Sequence, residues 1–143
     1  MLNQSDYEEM QSNPDEYFRK MNEMFANELK GVREQTRALK DLKALLESKL
    51  TGAPLKGLLS KLTVAALKSS GGLDKNIETT MQKQEALRQV GDEYGQIYSN
   101  ALLNGQQNKE LDRLMQTIKQ LDGAYTKYLD SCLETRPVLD KLH

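Results

Sequence analysis

Apolar residues recur at intervals of seven through the first half of the chain, at Phe18, Phe25, Val32, Leu39 and Leu46. Neighbouring rows of the same helical face hold four more apolar residues: Met21, Leu29, Leu42 and Leu50. A stripe this regular requires one long helix, and that helix must bury the stripe against another surface. The pattern therefore predicts a long, coiled-coil-like first helix that packs against other helices.

Capping residues and helix breakers divide the chain into predicted elements. Asn13 and Pro14 are typical of a helix start, and Pro54 follows a helix end. The predicted helices lie at about 14–50, 54–68, 74–104 and 109–134. The last of them is expected to end before Pro137, because proline removes a backbone donor from a helix. Residues 14–143 are expected to form a single domain.

The first 13 residues are predicted to be a separate acidic segment, in which every charged side chain is an acid. Ser5 followed by Glu8 fits a capping box, in which a side chain at the start of a helix and one three residues later satisfy each other's backbone donors. We therefore expect a short helix here, from about Asp6 to Gln11.

Two later helices carry apolar stripes of their own. The stripe of the third helix is interrupted at Gln84 and consists of Ile77, Met81, Leu87, Val90, Tyr94, Ile97 and Ala101. The stripe of the fourth helix is unbroken and consists of Leu111, Leu114, Ile118, Leu121, Tyr125, Tyr128 and Cys132. A short turn from Gly105 to Asn108 predicts that these helices are antiparallel neighbours. The expected fold is all-α, an elongated antiparallel helical bundle with a short amphipathic second helix.

Three residue types along these helices are open to a structural or a functional interpretation. Gly91 and Gly95 have the spacing of close helix packing, and they are also consistent with tolerated glycines or a local helix break. The tyrosines on the stripes are expected to pack at bundle seams, and they could equally anchor an interface. Cys132 lies on a helix seam, where we expect a small hydrophobe rather than a reactive thiol.

Composition and motifs argue against several function classes. The net charge is −1 and no basic stripe is interleaved with aromatic residues, which argues against nucleic-acid binding. The single histidine is the last residue, His143, and neither a catalytic motif nor a metal-ligand spacing occurs. We therefore expect no enzyme activity, no catalytic residue, no metal, no cofactor and no small-molecule substrate.

The sequence also carries signals about location. Its start lacks the basic and apolar pattern of a secretory signal, and no apolar run approaches the roughly 20 residues that a membrane-spanning helix needs. A single cysteine cannot form an internal disulfide, which suits a reducing compartment. These observations predict a cytoplasmic protein.

The predicted second helix has the composition of a cationic amphipathic helix. Its leucines and lysines are Leu55, Leu58, Leu59 and Leu62, and Lys56, Lys61 and Lys68. Three interpretations stay open. The helix can cap one end of the bundle, it can dock a partner helix through its leucines, or its lysines can contact an anionic membrane surface.

These patterns predict a non-enzymatic helical interaction module or a small subunit of a larger assembly. The first helix carries more apolar stripe than its short and interrupted neighbours can cover. We therefore expect a helical protein partner or self-association through its exposed end, Phe18, Met21 and Phe25, and through the second-helix leucines. The alternatives are a membrane-associating protein that uses helix 54–68, and a chaperone or escort for a secreted or virion protein.

Overall fold

The computed structural model describes residues 1–47 and 72–140, and within these ranges every regular element is an α-helix. The helices are α1 (Gln4–Ser12), α2 (Pro14–Glu47), α3 (Gly72–Leu103) and α4 (Lys109–Asp140). The predicted all-α bundle is confirmed. The predicted helix at 54–68 lies outside the described residues. Among the helices described, none combines the length and hydropathy that crossing a bilayer requires.

The helix starts follow from capping side chains. Asn13 Oδ1 accepts a hydrogen bond from the backbone nitrogen of Glu16 at 3.4 Å, as expected for the residue before Pro14. At α1 the capping box forms between Asn3 and Asp6, each accepting a backbone donor of the other at 2.9 Å. The expectation of a box at Ser5 was therefore wrong. Asparagine is among the strongest capping residues, and it begins the helix two residues earlier.

The prediction that the last helix ends before Pro137 was also wrong. Helix α4 continues through Pro137 to Asp140, so Val138 and Leu139 belong to the helix. Proline here removes only one hydrogen bond, to the carbonyl of Leu133, within the last two turns. Arg136 Nη1 pairs with Asp74 Oδ1 of α3 at 3.2 Å, which helps to hold this end of α4 in place.

The described residues group into two compact units, to which α2, α3 and α4 each contribute. Unit 1 comprises Met1–Lys30 and Lys83–Gly123. Polar contacts fix the helix directions within it: Tyr17–Tyr94, Glu28–Lys83, Asp15–Asn108, Asn22–Thr117 and Arg88–Asp122. The order of these contacts makes α3 antiparallel to both α2 and α4. The antiparallel pairing of α3 with α4, predicted from the short turn, is therefore confirmed.

The core of unit 1 consists of aromatic and leucine side chains. Its buried apolar residues are Tyr17, Phe18, Leu29, Leu87, Tyr94, Leu111, Leu114, Ile118 and Leu121. All seven stripe residues predicted for α4 are buried across the two units, Cys132 among them. This outcome confirms Cys132 as a buried small hydrophobe, and burial raises the pKa of its thiol to about 11.

Unit 2 comprises the remaining described residues, 31–47, 72–82 and 124–140. Its core includes four buried hydroxyl residues, Thr36, Thr80, Ser131 and Thr135, besides apolar ones. Thr36 Oγ1 donates to the carbonyl of Val32 at 2.8 Å, and Thr135 Oγ1 donates to the carbonyl of Ser131 at 2.7 Å. Such bonds to the preceding turn let a hydroxyl enter a helix seam without leaving a polar atom unpaired.

The sequence pattern assigned one residue of α3 to the buried stripe that is exposed in the structure. Met81 is 57% exposed, whereas its neighbour Thr80 is only 7% exposed. The seam of α3 runs through Leu73, Thr80, Gln84, Leu87 and Tyr94, so the apparent interruption at Gln84 is part of the buried face. The amide nitrogen of Gln84 donates to the carbonyl of Asp122 at 3.1 Å, which explains how this polar side chain is buried.

We expect Leu114→Ala to lower the free energy of unfolding by about 2–5 kcal/mol, because the side chain is fully buried in unit 1. The matched control is Leu103→Ala, which truncates a leucine that is 85% exposed and should cost less than about 0.5 kcal/mol. Urea unfolding followed by circular dichroism at 222 nm measures both. Equal losses would contradict the core assigned to unit 1.

Candidate functional site

The predicted partner-binding residues of the first helix are less available than expected. Phe18 is only 4% exposed, and its ring packs edge-on against Tyr17 and Tyr94 with centroids 5.5 and 6.4 Å apart. The expectation that Phe18 lies on an exposed end was therefore wrong, because an aromatic cluster covers it. Met21 and Phe25 are half-buried, and their role in partner binding stays a prediction.

The remaining stripe of α2 is also largely covered by the chain itself. Leu29, Val32, Leu39 and Leu42 are between 0 and 6% exposed, and Leu46 is half-buried. The described part of this helix therefore has little apolar stripe left over for a partner. The other predicted site residues lie outside the described residues: Leu55, Leu58, Leu59, Leu62, Lys56, Lys61 and Lys68. Their docking or membrane roles stay predictions.

Tyr17 and Tyr94 share a buried hydrogen bond that the stripes did not predict. Their hydroxyl oxygens are 2.6 Å apart, and the Tyr17 hydroxyl also donates to Asp6 Oδ1 at 3.1 Å. Each hydroxyl has one proton, so Tyr94 donates to Tyr17 and Tyr17 donates to Asp6. Burial raises the pKa of Tyr94 to about 12, and burial together with the hydrogen bond that Tyr17 donates to Asp6 raises the pKa of Tyr17.

An open groove with a volume of about 650 Å³ lies between α3 and α4 in unit 1. Its apolar lining consists of Leu87, Gly91, Met115 and Ile118, and its polar lining consists of Arg88, Asp92, Tyr98, Asp112, Gln116, Lys119 and Asp122. We call this feature the α3–α4 groove. Its lining on α3 runs over 12 residues, from Leu87 to Tyr98, which corresponds to about three helical turns or 16 Å.

Gly91 explains the close approach of the two helices beneath the groove. A Cβ atom at this position would lie 3.2 Å from Cγ2 of Ile118, closer than ordinary van der Waals contact. At Gly95 the nearest atom, Cε of Met115, would lie 3.9 Å away, an ordinary contact distance. Helix α3 is continuous through both glycines. The interpretation as a close-packing contact therefore holds for Gly91 and not for Gly95.

Some charged side chains of the polar lining form ion pairs, and others do not. Arg88 Nε pairs with Asp122 Oδ1 at 2.9 Å, and the Asp112 carboxylate raises the pKa of the Tyr98 hydroxyl beside it. Within residues 1–47 and 72–140, neither Asp92 nor Lys119 forms an ion pair. The groove therefore offers one acidic and one basic group to a bound molecule.

The groove combines an apolar floor with a charged rim. Its lining includes three aspartates, an arginine, a lysine and a tyrosine, and it contains no histidine, cysteine, serine or threonine. Among the described residues, no cluster of histidine, cysteine or acidic side chains has the arrangement of a metal site. An apolar floor with a charged rim is typical of grooves that receive the apolar face of a partner helix.

Comparison with known proteins gives no further guide to this site, because no family model, curated protein or solved structure matches the chain. The sequence contained one usable signal for the groove, the small residue Gly91 on the α3 seam. It contained no signal for the charged rim, because Asp92 and Lys119 follow no recognisable spacing between two separate helices.

Two glycine substitutions test the packing beneath the groove. Gly95→Ala should raise the free energy of unfolding by about 1 kcal/mol, because alanine is the better helix former and its Cβ has room. Gly91→Ala should be less stable than Gly95→Ala by about 1 kcal/mol or more, because its Cβ presses on the stiff, buried Ile118. Urea unfolding compares them, and equal effects would contradict the close contact at Gly91.

The buried tyrosines predict a loss of stability at alkaline pH. Tyrosines of an unfolded chain lose their protons near pH 10, whereas Tyr94 in the folded chain keeps its proton to about pH 12. The stabilising contribution is therefore complete below pH 10 and is lost as the pH rises toward 12. Urea midpoints measured between pH 8 and 11.5 should fall above pH 10. Tyr94→Phe should make this dependence shallower, and an unchanged slope would contradict the assignment.

Proposed function

We propose that this protein is a non-enzymatic helical interaction module, a small subunit of a larger assembly, that docks a partner helix in the α3–α4 groove. The observation that carries the proposal is the groove itself, which has an apolar floor, a charged rim and a length of about three helical turns. From the sequence, the expected binding surface was the exposed end of the first helix together with the leucines of 54–68. The groove is preferred to the first of these because most of the α2 stripe is covered by its own chain, and the leucines lie outside the described residues.

The lining of the groove describes the partner that fits it. An amphipathic helix would place apolar side chains at positions i, i+3, i+4 and i+7 over Leu87, Met115 and Ile118. A basic residue of that helix would face Asp92 and an acidic residue would face Lys119, which sets its direction more than its affinity. Most of the binding free energy would come from apolar residues in the centre of the groove.

The partner helix in this proposal belongs to another protein. In self-association, a helix from a second copy of this chain would occupy the same groove. The experiment below distinguishes that outcome from the binding of another protein. A role as an escort for another protein is a special case of the same binding. A cytoplasmic location, predicted from the sequence, belongs to this proposal as well.

Site-specific photo-crosslinking in cells of the source organism tests the proposal. A benzophenone amino acid at Gln116, which lines the groove, should crosslink one discrete partner. The matched control is Gln120, an exposed glutamine one turn further along α4 that does not line the groove. Met115→Glu should lower the yield from Gln116 at least tenfold, because it places a charge on the apolar floor.

Three results would contradict the proposal. Equal crosslinking from Gln116 and Gln120 would show that the groove has no selective occupant. A yield from Gln116 that survives Met115→Glu would show that its floor is not used. A crosslinked product consisting of two copies of this chain would replace the heterologous partner by self-association. Circular dichroism of each variant checks that helicity is retained.

A further inference from the structure

The first 13 residues, which contain α1, contact the rest of unit 1 through a narrow strip of side chains. Leu2, Asp6 and Met10 are half-buried at intervals of four residues, and every other residue from Met1 to Asn13 is exposed. No residue of α1 itself is fully buried. A helix that buries so little apolar surface is among the first elements to detach from a folded protein.

Two hydrogen bonds join the start of the chain and α1 to the neighbouring helices. The backbone nitrogen of Leu2 donates to Glu93 Oε2 of α3 at 2.8 Å, and Tyr17 of α2 donates to Asp6 at 3.1 Å. A nine-residue helix is not stable alone in water, so its structure depends on these contacts. A single residue, Asn13, connects α1 to α2. Its backbone adopts neither helical nor β geometry, with φ −152° and ψ 78°.

The surface beneath α1 presents two polar groups in front of an aromatic cluster. It presents a tyrosine hydroxyl that donates outward, from Tyr17, and the carboxylate of Glu93, which accepts a backbone donor. Tyr17, Phe18 and Tyr94 form the aromatic cluster behind it, and all three are at most 4% exposed. The two polar groups match the backbone N–H of Leu2, which precedes the N-cap Asn3, and the carboxylate of Asp6 in the first turn of α1.

We propose that α1 is a displaceable cover, and that the surface formed by Tyr17, Glu93 and Tyr94 binds a helix of another protein in its place. The fitting partner is a short helix whose first turn carries a carboxylate for Tyr17 and whose N-terminal backbone donates to Glu93. This site differs from the α3–α4 groove, because it lies where α3 faces α2. The α1 helix then acts as an internal competitor that keeps the aromatic cluster covered until such a partner binds.

A peptide that copies α1 is the direct probe of this site. The probe is a fluorescent peptide of residues 1–13 with Ser12→Lys, bridged to Glu8 by a lactam between two exposed positions so that it stays helical. Its matched control carries Asp6→Ala in addition. Both are titrated by fluorescence anisotropy against the full chain and against the full chain with Asp6→Ala, whose own α1 has lost its acceptor for Tyr17.

The probe should bind the Asp6→Ala chain at least tenfold more tightly than it binds the unchanged chain, because the internal competitor is weakened. The control peptide should bind at least tenfold more weakly than the probe. Adding Tyr17→Phe to the Asp6→Ala chain should also weaken the probe, since the donor is gone, whereas adding Met115→Glu should leave it unchanged. That last comparison separates this site from the α3–α4 groove.

Equal affinity for both chains, equal affinity of probe and control, or no binding at the solubility limit of the probe would overturn the proposal. Amide hydrogen exchange on the unchanged chain is the independent measurement. The amides of α1 should exchange at least a hundredfold faster than those around Leu114 in the core of unit 1. Protection of α1 equal to that of this core would show a fixed structural element and would also overturn the proposal.

Discussion

The hydroxyl group of Tyr94 is fully buried, and a buried hydroxyl must be hydrogen-bonded. In unit 1 this requirement joins three helices, since Tyr94 of α3 donates to Tyr17 of α2, whose own proton goes to Asp6 of α1. Successive bonds of this kind polarise and strengthen one another. The position of α1, the burial of Phe18 and the direction of α3 relative to α2 are all consistent with this one chain of hydrogen bonds.

In unit 1, helix α3 packs against α2 and against α4 with different kinds of residue. It faces α2 with the large side chain of Tyr94, and it faces α4 with Gly91, where Ile118 comes close. A chain with only 38% hydrophobic residues has few large side chains to cover three long helices. Glycine allows close contact at the helix backbones without a side chain that would fill the space beside them. The α3–α4 groove is consistent with close helix contact at a glycine that has no side chain to fill the space beside it.

The local periodicity of apolar residues correctly predicted the buried residues that depend on a single helix. The stripe of α4 was predicted in full, because its alternation by three and four residues allows only one buried face. The errors at Phe18, Met81 and Pro137 share a cause, because each depends on contacts with another helix. Tyr17 and Tyr94 cover Phe18, a satisfied Thr80 takes the seam beside Met81, and an ion pair from Arg136 helps to hold the turn that contains Pro137. The charged rim of the groove could not be predicted either, because its residues come from two separate helices.

The two proposed binding surfaces differ in what binding requires. A helix that enters the α3–α4 groove meets a surface that is already open, so its intrinsic affinity is the affinity observed. A helix that replaces α1 competes with a segment tethered through Asn13, whose effective concentration is on the order of millimolar. Its observed affinity is lowered by the fraction of chains in which α1 is released. The groove therefore suits a permanent partner of an assembly, and the surface under α1 suits a partner whose binding is conditional.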